Sequence, residues 1–181
     1  WDTFMAILER LPAGGHVVSL QGEGEPTLHP RFWDMAAAVT DRGFMPTTIT
    51  NAYHLDADKL ASLLPEVGIS LDTMDADEAE RIGRFKLPKV LATLDALLAR
   101  MGPERIRVHT VDYGQPLDTL RRHLASRRIA RHIVQPLQTK TDYSQHYSDW
   151  QEAPDAPDYH YRCRYLLRPE MRFFDIDGRE M

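Results

Sequence analysis

Leu20-Gln21-Gly22-Glu23-Gly24-Glu25-Pro26-Thr27-Leu28-His29-Pro30 is the stretch on which the reading of the fold turns. It follows the apolar, β-branched run at 16–21 and precedes Phe32, Met35, Ala36 and Val39, whose helical spacing stops at Gly43. Gly22 and Gly24 permit backbone angles closed to other residues, and Glu25 lies near a helix N-terminus, where free N–H groups favour negative charge. The stretch therefore reads as a strand-to-helix turn. It is not a dinucleotide fingerprint, because the third glycine of G-x-G-x-x-G would fall at Thr27.

Outward from this turn, the runs at 47–50, 67–71, 106–112 and 132–136 are short, apolar and rich in β-branched residues, and longer stretches with helical spacing separate them. Leu60, Leu63 and Leu64 mark one helix, ending near Pro65, and residues 75–81 form an acidic one. Pro88 suits a first helical position and opens the clearest helix, with Val90, Leu91, Leu94, Leu97, Leu98 and Met101 on one face and Gly102 at its end. Pro116 opens another that carries Leu117, Leu120 and Leu124, and Phe4, Ile7, Leu8 and Leu11 mark a helix at the start of the chain. Strands alternating with helices predict an α/β fold with a parallel sheet and crossover helices.

Alternate residues of a strand face opposite sides. Val67, Ile69 and Leu71 thus share an apolar face and Gly68, Ser70 and Asp72 a polar one, while Val18 and Leu20 oppose Ser19, Gln21 and Glu23. Polar groups collect towards the C-terminal strand ends, where ligands bind in parallel α/β folds. By the same rule His109 and Asp112 fall on opposite faces.

Composition narrows the function. With 181 residues and 43% hydrophobic content, the chain can bury the core of one domain, with room for a small appendage. Lys plus Arg total 22 against 27 Asp plus Glu, a net charge of −5, so no general basic field exists to hold a nucleic-acid backbone. Arg121, Arg122, Arg127, Arg128 and Arg131 read as a solvated helix face. No apolar run approaches the roughly 20 residues of a membrane span and the N-terminus lacks a signal-peptide pattern, which places the protein in the cytoplasm. Cys163 is the single cysteine, which excludes an internal disulfide and any site needing several thiolates of this chain. Trp1 begins and Met181 ends within a structural pattern, as cut termini would.

The full stretch 20–30 resembles the Gly-Gly-Glu-Pro motif of radical S-adenosylmethionine (SAM) enzymes, with Glu23-Gly24-Glu25-Pro26 as its equivalent and Glu23 in place of the first glycine. In that family the motif ends the second barrel strand and its backbone binds the amino group of SAM. Carbonyl groups at a strand end can receive an ammonium that a helix N-terminus would repel. Thr48-Ile49-Thr50-Asn51-Ala52 is similar to the Thr-Asn-Gly that ends the family's third strand, with Ala52 for glycine. Ile69-Ser70-Leu71-Asp72, with the acidic helix after it, is similar to the Ile-Ser-Leu-Asp that ends the fourth. The resemblance implies that Ser70 and Asp72 contact the ribose or carboxylate of SAM. Taken alone, Asn51 is equally a turn asparagine and Asp72 equally a helix-capping aspartate.

The implied fold is a partial (β/α)6 TIM-like barrel of the radical SAM type, truncated at the first strand. Residues 1–138 would supply strands two to six, and residues 139–181 a connecting segment and the start of a C-terminal extension. Within the latter, 139–158 reads as an exposed connection, 171–176 as a strand, and Asp177-Gly178 as a hairpin turn. Tyr161-Arg162-Cys163-Arg164 and the later Asp175-Ile176-Asp177-Gly178 resemble the opening of SPASM or twitch extensions, in which Cys163 would be the first ligand of an auxiliary iron–sulfur cluster; a lone cysteine is equally an inert buried thiol.

The family's chemistry starts at a Cys-x3-Cys-x2-Cys loop that holds a [4Fe–4S] cluster, and no cysteine lies upstream of Glu23. Either that loop precedes Trp1 in the parent protein, or the chain is a degenerate barrel used as a binding scaffold. On the first reading the parent reductively cleaves SAM to a 5′-deoxyadenosyl radical, takes its electron from a flavodoxin or ferredoxin, and modifies a peptide, protein or small molecule. A third reading pairs the Glu23 and Glu25 carboxylates in a hydrolytic site.

Overall fold

The computed structural model describes residues 1–22, 24–53, 55–137, 172, 174 and 177–180. Two compact units are present, one made of Trp1–Gly14 with Gln151–Met181, the other of Gly15–Trp150.

In the first unit helix α1 (Asp2–Arg10) buries Leu8 and ends at Leu11, which is extended. The Arg10 guanidinium donates to the Gly178 carbonyl (2.9 Å) and lies 5.2 Å from the centre of the Phe174 ring. Gly178 has φ 78°, and an antiparallel bridge joins Phe174 to Glu180 across the Asp177-Gly178 turn. The hairpin-turn signal is thus met, while most of the strand expected at 171–176 and the connection at 139–158 lie outside the described residues.

The second unit carries the sheet. Strand β1 (Val17–Ser19) pairs in parallel with β2 (Met45–Thr47), and β3 (Ile49–Thr50), β4 (Val67–Ser70), β5 (Ile106–Asp112) and β6 (Arg131–Pro136) form a parallel sheet in that order. The sequence predicts one strand at 47–50; the chain forms two, because residues 45–47 pair with β1 while 49–50 pair with β4. Thr48 joins them: its hydroxyl donates to the Leu20 carbonyl (2.6 Å) and its own carbonyl accepts from Gly68 N–H (2.8 Å).

The helices follow their local signals. After α2 (Phe32–Asp41) the chain turns at Gly43, φ 76°. Asp56 caps α3 (Ala57–Leu63) by accepting from the Asp58 and Lys59 amides, and Asp75 caps α4 (Ala76–Arg81) by accepting from Glu78 N–H (2.9 Å). Pro88 lies in the first turn of α5 (Leu87–Met101), which ends at Gly102. Helix α6 (Asp118–Ser126) starts just after Pro116 and buries Leu120 and Leu124.

Val67, Ile69 and Leu71 pack in one core with Leu60, Leu64, Val90, Leu94 and Leu97, as the strand parity predicts. Fully burying each of these side chains contributes about 1.5–3 kcal/mol. The other face is polar. Register sets Gly68 beside Arg107, Ser70 beside His109, and Arg107 beside Arg131. The like charges of Arg107 and Arg131 are offset by Glu66, which lies 3.1 Å from one and 2.6 Å from the other. Arg131 is therefore a sheet residue, not part of a solvated helix face, and Arg127 on that helix's C-terminal side pairs with Asp95 (2.7 Å).

Among the described residues no helix is long and apolar enough to cross a membrane.

Candidate cofactor-binding site

The chain leaves β1 at Leu20, turns at Gly24 (φ 85°), and enters a 3-10 turn at Pro26–Leu28 for which Glu25 is the cap. Both oxygens of the Glu25 carboxylate are engaged. Oε1 accepts from the Thr27 amide (3.1 Å), the Thr27 hydroxyl (2.6 Å) and the Thr50 hydroxyl (2.7 Å), and Oε2 accepts from the Asn51 amide (2.7 Å). Glu25 thus fastens the Gly24-Glu25-Pro26 turn to the end of β3. A carboxylate held in this way is a poor half of a paired-carboxylate hydrolytic site, and its partner in that reading, Glu23, lies outside the described residues.

Thr50 continues the network, since its hydroxyl accepts from Ala52 N–H (3.1 Å). Ala52 has φ 58° and is fully buried. It occupies the left-handed conformation that glycine adopts freely, at a cost of about 1–2 kcal/mol. Asn51 Oδ1 accepts from Tyr53 N–H (3.0 Å), which makes Asn51 a turn asparagine on that atom, while its side chain still lines the cleft described below.

At the end of β4 the Asp72 side chain is 1% exposed. Its Oδ2 accepts from Arg84 Nε (2.8 Å) and its Oδ1 from the Val111 amide (2.7 Å). Gln115 Nε2 donates to the carbonyls of Asp72 (3.0 Å) and Val111 (2.7 Å). Asp72 is therefore the joint between β4, β5 and the turn after α4, and the helix cap is Asp75 instead. Neither Arg84 nor Gln115 carries a sequence signal, because each is placed by a partner distant along the chain.

Asn51, Ser70 and Asp72 open on a cleft of about 310 Å³, walled on its far side by Tyr53, Phe85 and Lys86. Pro26 and Gly24 stand across the Glu25 bridge from Asn51. Cys163 lies outside the described residues, and among the described residues no group of three His, Cys, Asp or Glu side chains is placed to hold a metal.

His109 sits beside Ser70 on the polar face of the sheet, with its ring against Gly68, where an added Cβ would come within 3.0 Å of His109 Cδ2. Neither ring nitrogen has a hydrogen-bond partner. Burial, with smaller contributions from Arg107, Arg131 and His132, pushes its pKa down from 6.5 to about 4. The unfolded chain then binds more protons than the folded one between these values, so stability is complete above about pH 6.5 and falls as pH drops towards about 4. Because the ring is partly exposed, about 1–2 kcal/mol is at stake. His109→Leu is expected to flatten that part of the urea-midpoint profile and to keep or raise stability at pH 7, since it removes two unpaired polar atoms. His123, whose pKa is also lowered, titrates alike in both proteins and cancels in the difference, while His132, whose charge acts on His109, adds only a smaller change. An unchanged acid slope in the variant would refute the assignment.

No family model matches the chain. The tungsten-containing aldehyde ferredoxin oxidoreductase cofactor-modifying protein of Pyrococcus furiosus is 32% identical over 122 residues, which are 66% of this chain and 32% of that protein. Among solved structures, TYW1 with a lysine-pyruvate adduct bound superposes with a TM-score of 0.54 at 24% identity, over 71% of this chain and 45% of that one. Archaeal TYW1 superposes at 0.50 with 22% identity, over 78% and 51%. The chain spans about half the length of these structures and about a third of the curated relative. What the likenesses carry is the fold, an α/β arrangement of parallel strands with covering helices like that of the TYW1 structures.

Proposed function

We propose that this chain is the SAM-binding part of a radical SAM barrel, strands two to six of a (β/α)6 unit, in a protein that cleaves SAM reductively and modifies a further substrate. The observation that carries the reading is the Glu25 bridge, which brings the turn at 24–26 and the strand end at 50–52 together beside Asn51 and Ser70. The three stretches that resemble the family's motifs thus meet at one end of the sheet.

The residues present fit SAM. Nothing lies within 4 Å of a Cβ added at Gly22 or Gly24, so the turn is open on that side, and its carbonyl groups are the kind of acceptor an ammonium would need. Gly24 and Pro26 shape that turn, Glu25 and Thr50 fix its position, and Asn51 and Ser70 offer an amide and a hydroxyl to the carboxylate and ribose. Asp72 positions Arg84 and the end of β5 and acts on the ligand through them. A bound SAM would supply, on one-electron reduction by a donor outside these residues, a 5′-deoxyadenosyl radical with methionine as the leaving group. The residues present do not fit a [4Fe–4S] cluster: the chain has one cysteine, and such a cluster is held by several thiolates.

The test is in two arms. Calorimetric titration of the chain with SAM is expected to show binding that Asn51→Ala and Ser70→Ala each weaken by about fivefold, or about 1 kcal/mol. Anaerobic reconstitution of the whole protein with iron and sulfide is expected to yield 5′-deoxyadenosine from SAM. SAM binding without 5′-deoxyadenosine favours the non-catalytic scaffold, and the lone cysteine is the observation that keeps that second reading in play. Failure of both arms removes the SAM reading altogether.

A further inference from the structure

The strand end at 50–53 is built from two overlapping turns, each closed by a side chain. Thr50 Oγ1 accepts from Ala52 N–H (3.1 Å), and Asn51 Oδ1 accepts from Tyr53 N–H (3.0 Å). The Asn51 N–H between them donates to Glu25 Oε2 (2.7 Å). The turn closed by Asn51 mimics a β-turn whose third residue takes a positive φ, and Ala52 supplies it at 58°. Glycine adopts that conformation freely, whereas alanine is strained in it. Ala52 is nevertheless fully buried, in the same core as Phe32, Ala36 and Leu60, so its methyl group anchors a turn that glycine would leave freer to move.

The consequence falls on Asn51. Its carboxamide oxygen is engaged by a backbone N–H, and turning the amide over would set NH2 against that donor. The sense of the amide is therefore fixed, with Nδ2 as the group left over. Among the described residues Nδ2 has no hydrogen-bond partner, and it is not sealed from solvent. Asn51 lines the cleft, so the cleft is offered a donor there and no acceptor. The charges on the cleft wall favour an anionic acceptor: Arg84 and Lys86 stand against Asp72 alone, whose carboxylate is already held by Arg84 and the Val111 amide.

We propose that the left-handed turn at Ala52 is a positioning device that holds Asn51 as a donor only, and that the site thereby selects ligands bringing a carboxylate to Asn51 Nδ2. The identity of that ligand as SAM rests on the function proposed above; the lock on Asn51 does not. SAM carries its carboxylate and its ammonium on one carbon, which suits a site where Glu25 joins Asn51 to the 24–26 turn.

The experiment compares SAM with decarboxylated SAM, which keeps the sulfonium, the ammonium and the adenosine, by calorimetric titration of the chain. The parent is expected to bind SAM about tenfold more tightly. Asn51→Asp keeps an oxygen for Tyr53 N–H and puts a second, negative oxygen in place of Nδ2. It is expected to weaken SAM by about tenfold and to leave decarboxylated SAM at least as tight as in the parent, so that the preference is lost. Ala52→Gly tests the lock. Relief of the left-handed strain offsets the lost methyl group and the greater freedom of glycine in the unfolded chain, so the urea midpoint is expected to stay within about 0.5 M of the parent. Amide exchange at Tyr53 is expected to quicken by about tenfold, and the preference for SAM to narrow to about threefold. Equal affinity for the two ligands in the parent overturns the selectivity. Slow exchange at Tyr53 with an undiminished preference in Ala52→Gly overturns the lock. Should the parent bind neither ligand, the SAM reading fails and the selectivity with it, and exchange at Tyr53 in Ala52→Gly alone decides the lock.

Discussion

Asp72→Ala is expected to destabilise the Gly15–Trp150 unit by about 3 kcal/mol, read as a fall in urea midpoint at unchanged slope. The carboxylate is 1% exposed and accepts from Arg84 and from the Val111 amide. Its removal leaves the part-buried Val111 amide without this acceptor, opens a small cavity, and breaks the ion pair with Arg84. That guanidinium is 39% exposed and regains water, which keeps the loss at the low end of the range for broken buried pairs. Asp72→Asn separates the contributions. The amide oxygen can still serve Val111 N–H, but the NH2 then faces Arg84 Nε–H donor against donor, so the bond and the charge partner of Arg84 are lost together, at about 1–2 kcal/mol. Equal losses in the two variants would assign the whole effect to the Arg84 pair. No loss in either would end the description of Asp72 as a joint.

Features set by neighbours in sequence are readable without the structure. The period of α5 from Val90 to Met101, the proline that starts it and the glycine that ends it are all local, and the structure places them as expected. The parity of 67–72 is equally local, and it separates the core face from the polar face correctly. Asp72 is different. The sequence marks it as polar at a strand end, yet its partners Arg84 and the Val111 amide are chosen by how β4, α4 and β5 pack. Arg131 shows the same limit from the other direction. In sequence it extends a basic run, and only the register that sets it beside Arg107 and Glu66 makes it a sheet residue. His109 needed register too: parity says that it opposes Asp112, and the pairing with Ser70 says which face it takes.

The strand at 47–50 illustrates why element boundaries are harder to read than element existence. Residues 45–50 are continuous and extended, but each neighbouring strand accompanies only half of them. Nothing in Pro46-Thr47-Thr48-Ile49 announces that its hydrogen-bonding partner changes at Thr48. That change lets one strand end face both the 24–26 turn and the end of β4, a condition for any ligand that must touch all three.

Glu25→Ala is expected to uncouple the 24–28 turn from the end of β3, with a stability loss of about 2–3 kcal/mol and, on the SAM reading proposed above, the loss of most SAM binding. Donors on both carboxylate oxygens come from two places, Thr27 in the same turn and Thr50 with Asn51 across the gap. Alanine removes every one of these bonds. Part of the penalty is returned because the turn is half-exposed and water can replace the carboxylate there. Glu25→Gln is the sharper probe. An amide oxygen can still accept from Thr27 and Thr50, but its NH2 then faces the Asn51 amide, donor against donor, so the bridge to Asn51 alone is broken. The expected result is a loss of about 1 kcal/mol, with faster hydrogen exchange at Asn51 than at Thr27. On the SAM reading the Gln variant still loses about tenfold in SAM affinity, because the turn's carbonyls and the Asn51 side chain no longer hold a common position. A Gln variant that exchanges slowly at Asn51 and binds SAM as the parent does would show that Glu25 is only a local cap of the 3-10 turn, and the site would lose the contact that joins its two halves.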